Sequence, residues 1–121
     1  MTKSNPGHYF EDFKPGMALV HATPLTVSTG DISLYRALTG SRHALYSAET
    51  FATANGFDAL PIDPLIAFHI VFGKTVPDIS LNAVANLGYA DGKFLKTVYP
   101  GDTLTAISEV IGVKENSNGK T

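Results

Sequence analysis

The run Leu65 to Phe72 is apolar except for His69, and Asp63-Pro64 stands just before it as a helix start. An Asp side chain accepts a hydrogen bond from a free helix N–H, and Pro suits the first helical position, where no N–H is required. A helix apolar nearly all round must be buried on most of its faces, with Gly73 and Pro77 marking its end. Directly after it, Leu81 to Leu104 reads as sheet, broken by turns at Asp91-Gly92 and Pro100-Gly101-Asp102. A buried helix followed by long strands restricts a single small domain severely. It implies an α+β architecture in which one antiparallel sheet wraps a central helix.

The flanking segments fit that plan. Tyr9 to Phe13 is an aromatic and acidic patch, and Lys14-Pro15-Gly16 is a turn. Met17 to Val27 reads as a strand, with Pro24 at an edge or bend. Ser28-Thr29-Gly30-Asp31 opens a helix in which Ile32, Leu34, Tyr35 and Leu38 recur at roughly helical spacing, and Thr39-Gly40 closes it. A second short helix starts at Ser47 and stops at Asn55-Gly56. Asp102 to Lys114 alternates imperfectly and assigns no clear faces, and Glu115 to Gly119 is a turn. A turn signal normally leads into a further strand, so a sheet stopping there would expose an unpaired edge. The expectation is that the final strands are missing or that a partner covers the edge. Met1 to His8 reads as a mobile leader.

Charge and composition remove several classes of function. The net charge is −2 and Lys and Arg form no cluster, so neither nucleic acid nor an anionic membrane is an expected partner. With no cysteine, a disulfide framework, a Cys-type zinc site and a thiol nucleophile are all excluded. The four histidines form no metal-ligand pattern with any carboxylate. The N-terminal residues lack the apolar core of a signal peptide. Leu65 to Phe72 is too short to span a bilayer. These features suit a soluble cytoplasmic protein. Gly73-Lys74-Thr75 and Gly119-Lys120-Thr121 imitate the end of a phosphate-binding loop. Phe68 and Lys114 occupy the positions where its earlier glycine is required.

The order of elements and several motifs resemble the MaoC-like hydratases, which have a hot-dog fold. The matching residues are Tyr9, Glu11-Asp12-Phe13 and Gly16, the helix from Asp31 to Gly40, and Phe51-Ala52. Leu87-Gly88-Tyr89 through Phe94 and Val98-Tyr99-Pro100-Gly101-Asp102-Thr103-Leu104 match most specifically. Within that family, His69 through Tyr89 is similar to the N-terminal half of the mesaconyl-CoA hydratase group, whose members carry two hot-dog halves. The resemblance implies that residues 1–121 form one hot-dog domain, most of such a first half. The implied activity of the parent enzyme is reversible hydration of a short branched enoyl-CoA. The implied partners are an acyl-CoA thioester and a second hot-dog half or further copies of the chain. Cofactors and metals are not implied, because the thioester itself makes the β-carbon electrophilic. A module that only binds acyl-CoA or pairs domains, and a hot-dog thioesterase, are the alternative functions.

Hydration needs a group that activates water and a donor to the thioester carbonyl. Active family members place an Asp and a His in a Thr-Gly-Asp-x-Asn-Pro-x-His motif. The corresponding stretch here is Thr39 to Tyr46, with Ser41 at the Asp position and Tyr46 at the His position. Neither Ser nor Tyr ionises unaided near neutral pH, so the standard site is expected to be lost from this half. His43 has a suitable intrinsic pKa for a base, the preferred alternatives being a loop-ordering backbone hydrogen bond or a place in solvent. Arg42 could pair with an acyl carboxylate or a CoA phosphate, or lie at the surface. Asp63 at the helix start and His69 within the helix are candidate substrate-facing residues, the alternatives being simple capping and a hydrogen-bonded core histidine. His8 and His21 show no arguable function.

Overall fold

The computed structural model describes residues 6–117. The regular elements are strand β1 (Ala18–Thr26), helices α1 (Thr29–Thr39), α2 (Glu49–Ala54) and α3 (Pro64–Thr75), and strand β2 (Thr103–Glu109). Short 3-10 turns occupy Phe10–Asp12 and Ala44–Tyr46. β1 and β2 form a two-stranded sheet. The pairing is antiparallel: Val27 N–H donates to Asp102 O at 2.9 Å, while Val110 N–H donates to Met17 O at 2.9 Å. Thr26 lies opposite Thr103 and His21 opposite Ser108. This register places Leu104, Ala106 and Ser108 on one face of β2 and turns Ile107 outward.

Two compact units divide the chain: Met1–Thr23, Phe72–Asp91 and Thr105–Thr121 form one, Pro24–Val71 and Gly92–Leu104 the other. The core of the second unit is built from Val27, Ile32, Ile62 and Ile66, with Tyr35, Leu60, Ala67, Ile70, Val98 and Leu104 packed against it. Each buried aliphatic side chain of this size contributes roughly 1.5–3 kcal/mol relative to exposure. α1 meets this core through Ile32 and Tyr35, whereas Leu34 and Leu38, one helical turn apart, are exposed. The expected apolar spacing therefore held for only half of its members.

The ends of α1 follow their residues closely. Ser28 Oγ accepts from Asp31 N–H, and Ser28 N–H donates to Asp31 Oδ2 at 2.7 Å, a reciprocal capping box. Gly40 closes the helix at φ 66°, a left-handed conformation suited to glycine. The backbone N–H of Ser28, and then its hydroxyl, hold the Asp31 carboxyl below its ordinary value. A carboxylate lowered in the folded state stabilises above its unfolded pKa. That contribution is lost as pH falls through the folded value. Ser28→Ala should cost about 1 kcal/mol at neutral pH, read from urea unfolding. The cost should shrink as Asp31 protonates below its ordinary range. A loss independent of pH would assign the effect to the bond from Asp31 N–H to Ser28 Oγ rather than to the Asp31 carboxylate.

Four expectations require correction. Leu81 to Leu104 does not form long strands: among the described residues, β2 begins only at Thr103. Asn86 Oδ1 accepts from Gly88 N–H at 3.1 Å and Asp91 sits at φ 53°, so local turns compete with extension. Val84, Leu87 and Leu95 are exposed, with no packed face to fix a register. Second, Gly73 and Pro77 do not end the helical path. α3 runs to Thr75 and a π-helical turn, Val76–Ser80, carries Pro77 at its start, where a missing N–H is tolerated. Third, α3 is not buried on most faces, since Ile66 is its one fully buried residue and Leu65 and His69 share an exposed face. Fourth, the described end of the leader is tied down: Asn82 Nδ2 donates to Pro6 O and His8 O. Met1 to Asn5, and Asn118 and Gly119 of the terminal turn, lie outside the described residues.

Candidate acyl pocket

In the second unit a cavity of about 450 Å³ opens beside the start of α3. Ile62, Pro64 and Ala67 supply one wall, Tyr46 and Phe57 another, and Lys93 to Val98 the remainder. The walls are held by the chain around them. Ile62 N–H donates to Val98 O at 3.0 Å, fixing the segment before α3 against the end of the Lys93 to Val98 stretch. Tyr46 is placed by a one-turn 3-10 helix in which Tyr46 N–H and Ser47 Oγ both donate to His43 O. Arg36 reaches from α1 to Ser47 O at 3.0 Å and anchors the same loop.

Of the residues singled out by sequence, Tyr46 alone lines this cavity; Ser41, Arg42, His43, Asp63 and His69 do not. Tyr46 is half-buried, with its ring 5.0 Å from that of His43. Arg42 and His43 are exposed and Ser41 is half-buried, its N–H donating to Thr39 Oγ1. Asp63 caps α3: its Oδ1 accepts from Leu65 N–H at 2.9 Å and its carbonyl from Ile66 N–H at 2.9 Å. With Pro64 at the first position, the donors of the first turn are therefore engaged within the helix. His69 is exposed rather than a core histidine, and its ring lies 6.4 Å from Tyr35. Burial raises the Tyr35 hydroxyl above its ordinary value, and the nearby Asp63 charge raises it further. Tyr35 thus lies near both Asp63, at the start of α3, and His69, midway along it.

Phe57, Lys93, Phe94 and Lys96 were not singled out as site residues. The Lys-Phe-Leu-Lys order of residues 93–96 is the available signal, two cations enclosing two apolar residues, but it reads equally well as part of the sheet expected over Leu81 to Leu104. The cavity combines apolar walls, a phenol that can donate a hydrogen bond, and two ammonium groups. Among the described residues, neither a carboxylate nor a histidine lines it. It can hold and orient an acyl group better than it can activate water.

A family model described as mesaconyl-CoA hydratase matches residues 1–120. The chain belongs to the mesaconyl-CoA hydratase family. A β-methylmalyl-CoA dehydratase from Chloroflexus aurantiacus is 60% identical over 119 residues, covering 98% of this chain and 34% of that protein. A mesaconyl-CoA hydratase from Cereibacter sphaeroides is 63% identical over 117 residues, covering 97% of this chain and 34% of that protein. The chain therefore spans about a third of the length of the curated relatives it matches. The solved structure of a MaoC domain protein dehydratase from Chloroflexus aurantiacus superposes with a TM-score of 0.95 at 59% identity, covering 99% of this chain and 34% of that one. A monoamine oxidase regulatory protein from Archaeoglobus fulgius superposes with a TM-score of 0.76 at 26% identity, covering 88% of this chain and 72% of that one. These neighbours bear out the MaoC-like, hot-dog α+β class, although the described sheet of this mesaconyl-CoA hydratase family member has only two strands. No helix among the described residues is long and apolar enough to cross a membrane.

Proposed function

We propose that this chain is the N-terminal hot-dog part of a cytoplasmic enzyme that interconverts mesaconyl-CoA and β-methylmalyl-CoA. The identity of 60% and 63% to the two curated relatives over nearly the whole chain carries this reading. In the forward reaction a water oxygen joins the β-carbon of the enoyl thioester and a proton joins the α-carbon. The cavity beside α3 receives the acyl group against Ile62, Ala67 and Phe57. The Tyr46 hydroxyl donates toward the thioester carbonyl, and Lys93 and Lys96 offset the negative charge of the substrate. The residues that activate water come from the rest of the longer protein, in keeping with Ser41 and Tyr46 at the family's Asp and His positions.

A second hot-dog part, or a further copy of the chain in a dimer, covers apolar side chains that this unit leaves open. Phe94 is 61% and Leu95 89% exposed, on the same segment that lines the cavity. Burying such residues at an interface is favourable and would also close the pocket toward solvent.

The test is hydration of mesaconyl-CoA by the full-length protein, followed by loss of enoyl-thioester absorbance and by mass identification of the product. β-Methylmalyl-CoA is the expected product. Release of free CoA without any β-methylmalyl-CoA would support the thioesterase alternative, and binding without turnover would support a binding module. Tyr46→Phe should lower kcat about 10²-fold, the usual effect of losing one carbonyl donor, with little change in stability. His43→Ala should retain turnover. Full activity in Tyr46→Phe would reduce Tyr46 to a wall of the pocket.

A further inference from the structure

In the first unit His21 is 3% exposed, yet both of its ring nitrogens are engaged. Nδ1 lies 2.7 Å from Asp78 Oδ2 and Nε2 lies 2.8 Å from Ser108 Oγ. A carboxylate can only accept, so in the neutral ring Nδ1 carries the proton and Nε2 is left to accept from the Ser108 hydroxyl. Three separate elements bring the groups together: β1 carries His21, the π-helical turn carries Asp78 and β2 carries Ser108. Asp78 is further positioned by His8, whose Nδ1 lies 2.6 Å from the Asp78 carbonyl oxygen. Order and polarity are those of a serine nucleophile, its general base and the carboxylate that orients the base.

Ser108 is not sealed in. It lines a hollow of about 410 Å³ whose other walls are mostly apolar, among them Phe10, Phe13, Ile79 and Ile111, with Glu109 and Lys114 also lining it. A mostly apolar hollow with one hydroxyl bonded to a histidine suits an aliphatic acyl group. No part of the hydration reading uses these residues.

We propose that Ser108, His21 and Asp78 form a second reactive site that hydrolyses aliphatic acyl esters or thioesters through an acyl-serine. Ser108 Oγ bonds to the acyl carbonyl carbon and its proton passes to His21 Nε2. The bond from that carbon to the leaving oxygen or sulfur breaks, and the leaving group departs with the proton held by His21. Water then gives a proton to His21 while its oxygen bonds to the acyl carbon. Ser108 Oγ leaves, recovers the proton, and a carboxylic acid is released. Asp78 stays ionised throughout and holds the ring orientation.

The experiment treats the full-length protein with a fluorophosphonate and maps the adduct by peptide mass. Hydrolysis of p-nitrophenyl butyrate and of butyryl-CoA is measured in parallel, which separates an oxygen from a sulfur leaving group. The expected results are an adduct on Ser108, its loss in Ser108→Ala, and a fall in hydrolysis of about 10³-fold or more in Ser108→Ala and Asp78→Asn. Far-UV circular dichroism establishes that the variants are folded. Ser108→Ala removes a single oxygen and leaves the strand backbone unaltered, so it decides the matter even if Asp78→Asn unfolds. An unlabelled Ser108 in the folded native protein, or hydrolysis unchanged in folded Ser108→Ala, would overturn the proposal.

Discussion

Ile66→Ala should destabilise the protein by about 3 kcal/mol, read as a lower urea midpoint with an unchanged slope. Ile66 is 5% exposed and belongs to the cluster with Val27, Ile32 and Ile62. Truncation removes three buried carbons and leaves a void bounded by elements that cannot readily collapse. The chain is paired across that region just beyond β1 and β2, through Val27 and Asp102, and the start of α3 is fixed by the Asp63 cap. Leu65→Ala is the control. Leu65 precedes Ile66 on the same helix but is 47% exposed, so its truncation should cost less than about 1 kcal/mol. Equal losses at the two positions would mean that α3 presents a different face to the core.

His21→Ala should be the second most damaging change, at about 2–3 kcal/mol. The loss arises mainly from what is left behind. Asp78 Oδ2 and Ser108 Oγ both lose their bond to the imidazole ring, and the carboxylate loses a charge-matched neighbour. The Asp78 side chain retains 28% exposure, so water can reach it and the penalty stays below that of a fully enclosed charge. A double-mutant cycle with Asp78→Asn should return a coupling energy above about 0.5 kcal/mol. Additive losses would show that the two side chains are neighbours without an energetic link. This stability measurement is independent of whether Ser108 reacts with an acyl group, since a buried histidine with two satisfied nitrogens stabilises the fold in either case.

The sequence carried local signals with short physical causes. Ser28 and Asp31 specify a helix start because each side chain bonds the other's backbone within one turn. Asp63-Pro64 does so because an accepting carboxylate and an absent N–H suit the first helical residues. Pro100-Gly101-Asp102 turns as expected, with Gly101 at φ 100°. The strand reading of Leu81 to Leu104 failed for the complementary reason. Alternation describes what a segment could pair with, and pairing needs a second row of N–H and C=O groups that the segment does not itself contain.

The sequence by itself determined the family, the caps and the principal turns. Each depends on residues close together in the chain. Only the tertiary structure decided that Tyr46 lines the cavity while Asp63 caps, and that His69 is exposed. It alone placed His21 between Asp78 and Ser108, which stand 57 and 87 positions away from it in the sequence. The apolar helix that opens the sequence argument illustrates the division. Its composition fixes that it is a helix and where it starts. Which of its faces is buried is decided by the elements packed against it: Leu65 is as apolar as Ile66, yet it lies on the exposed face and Ile66 in the core.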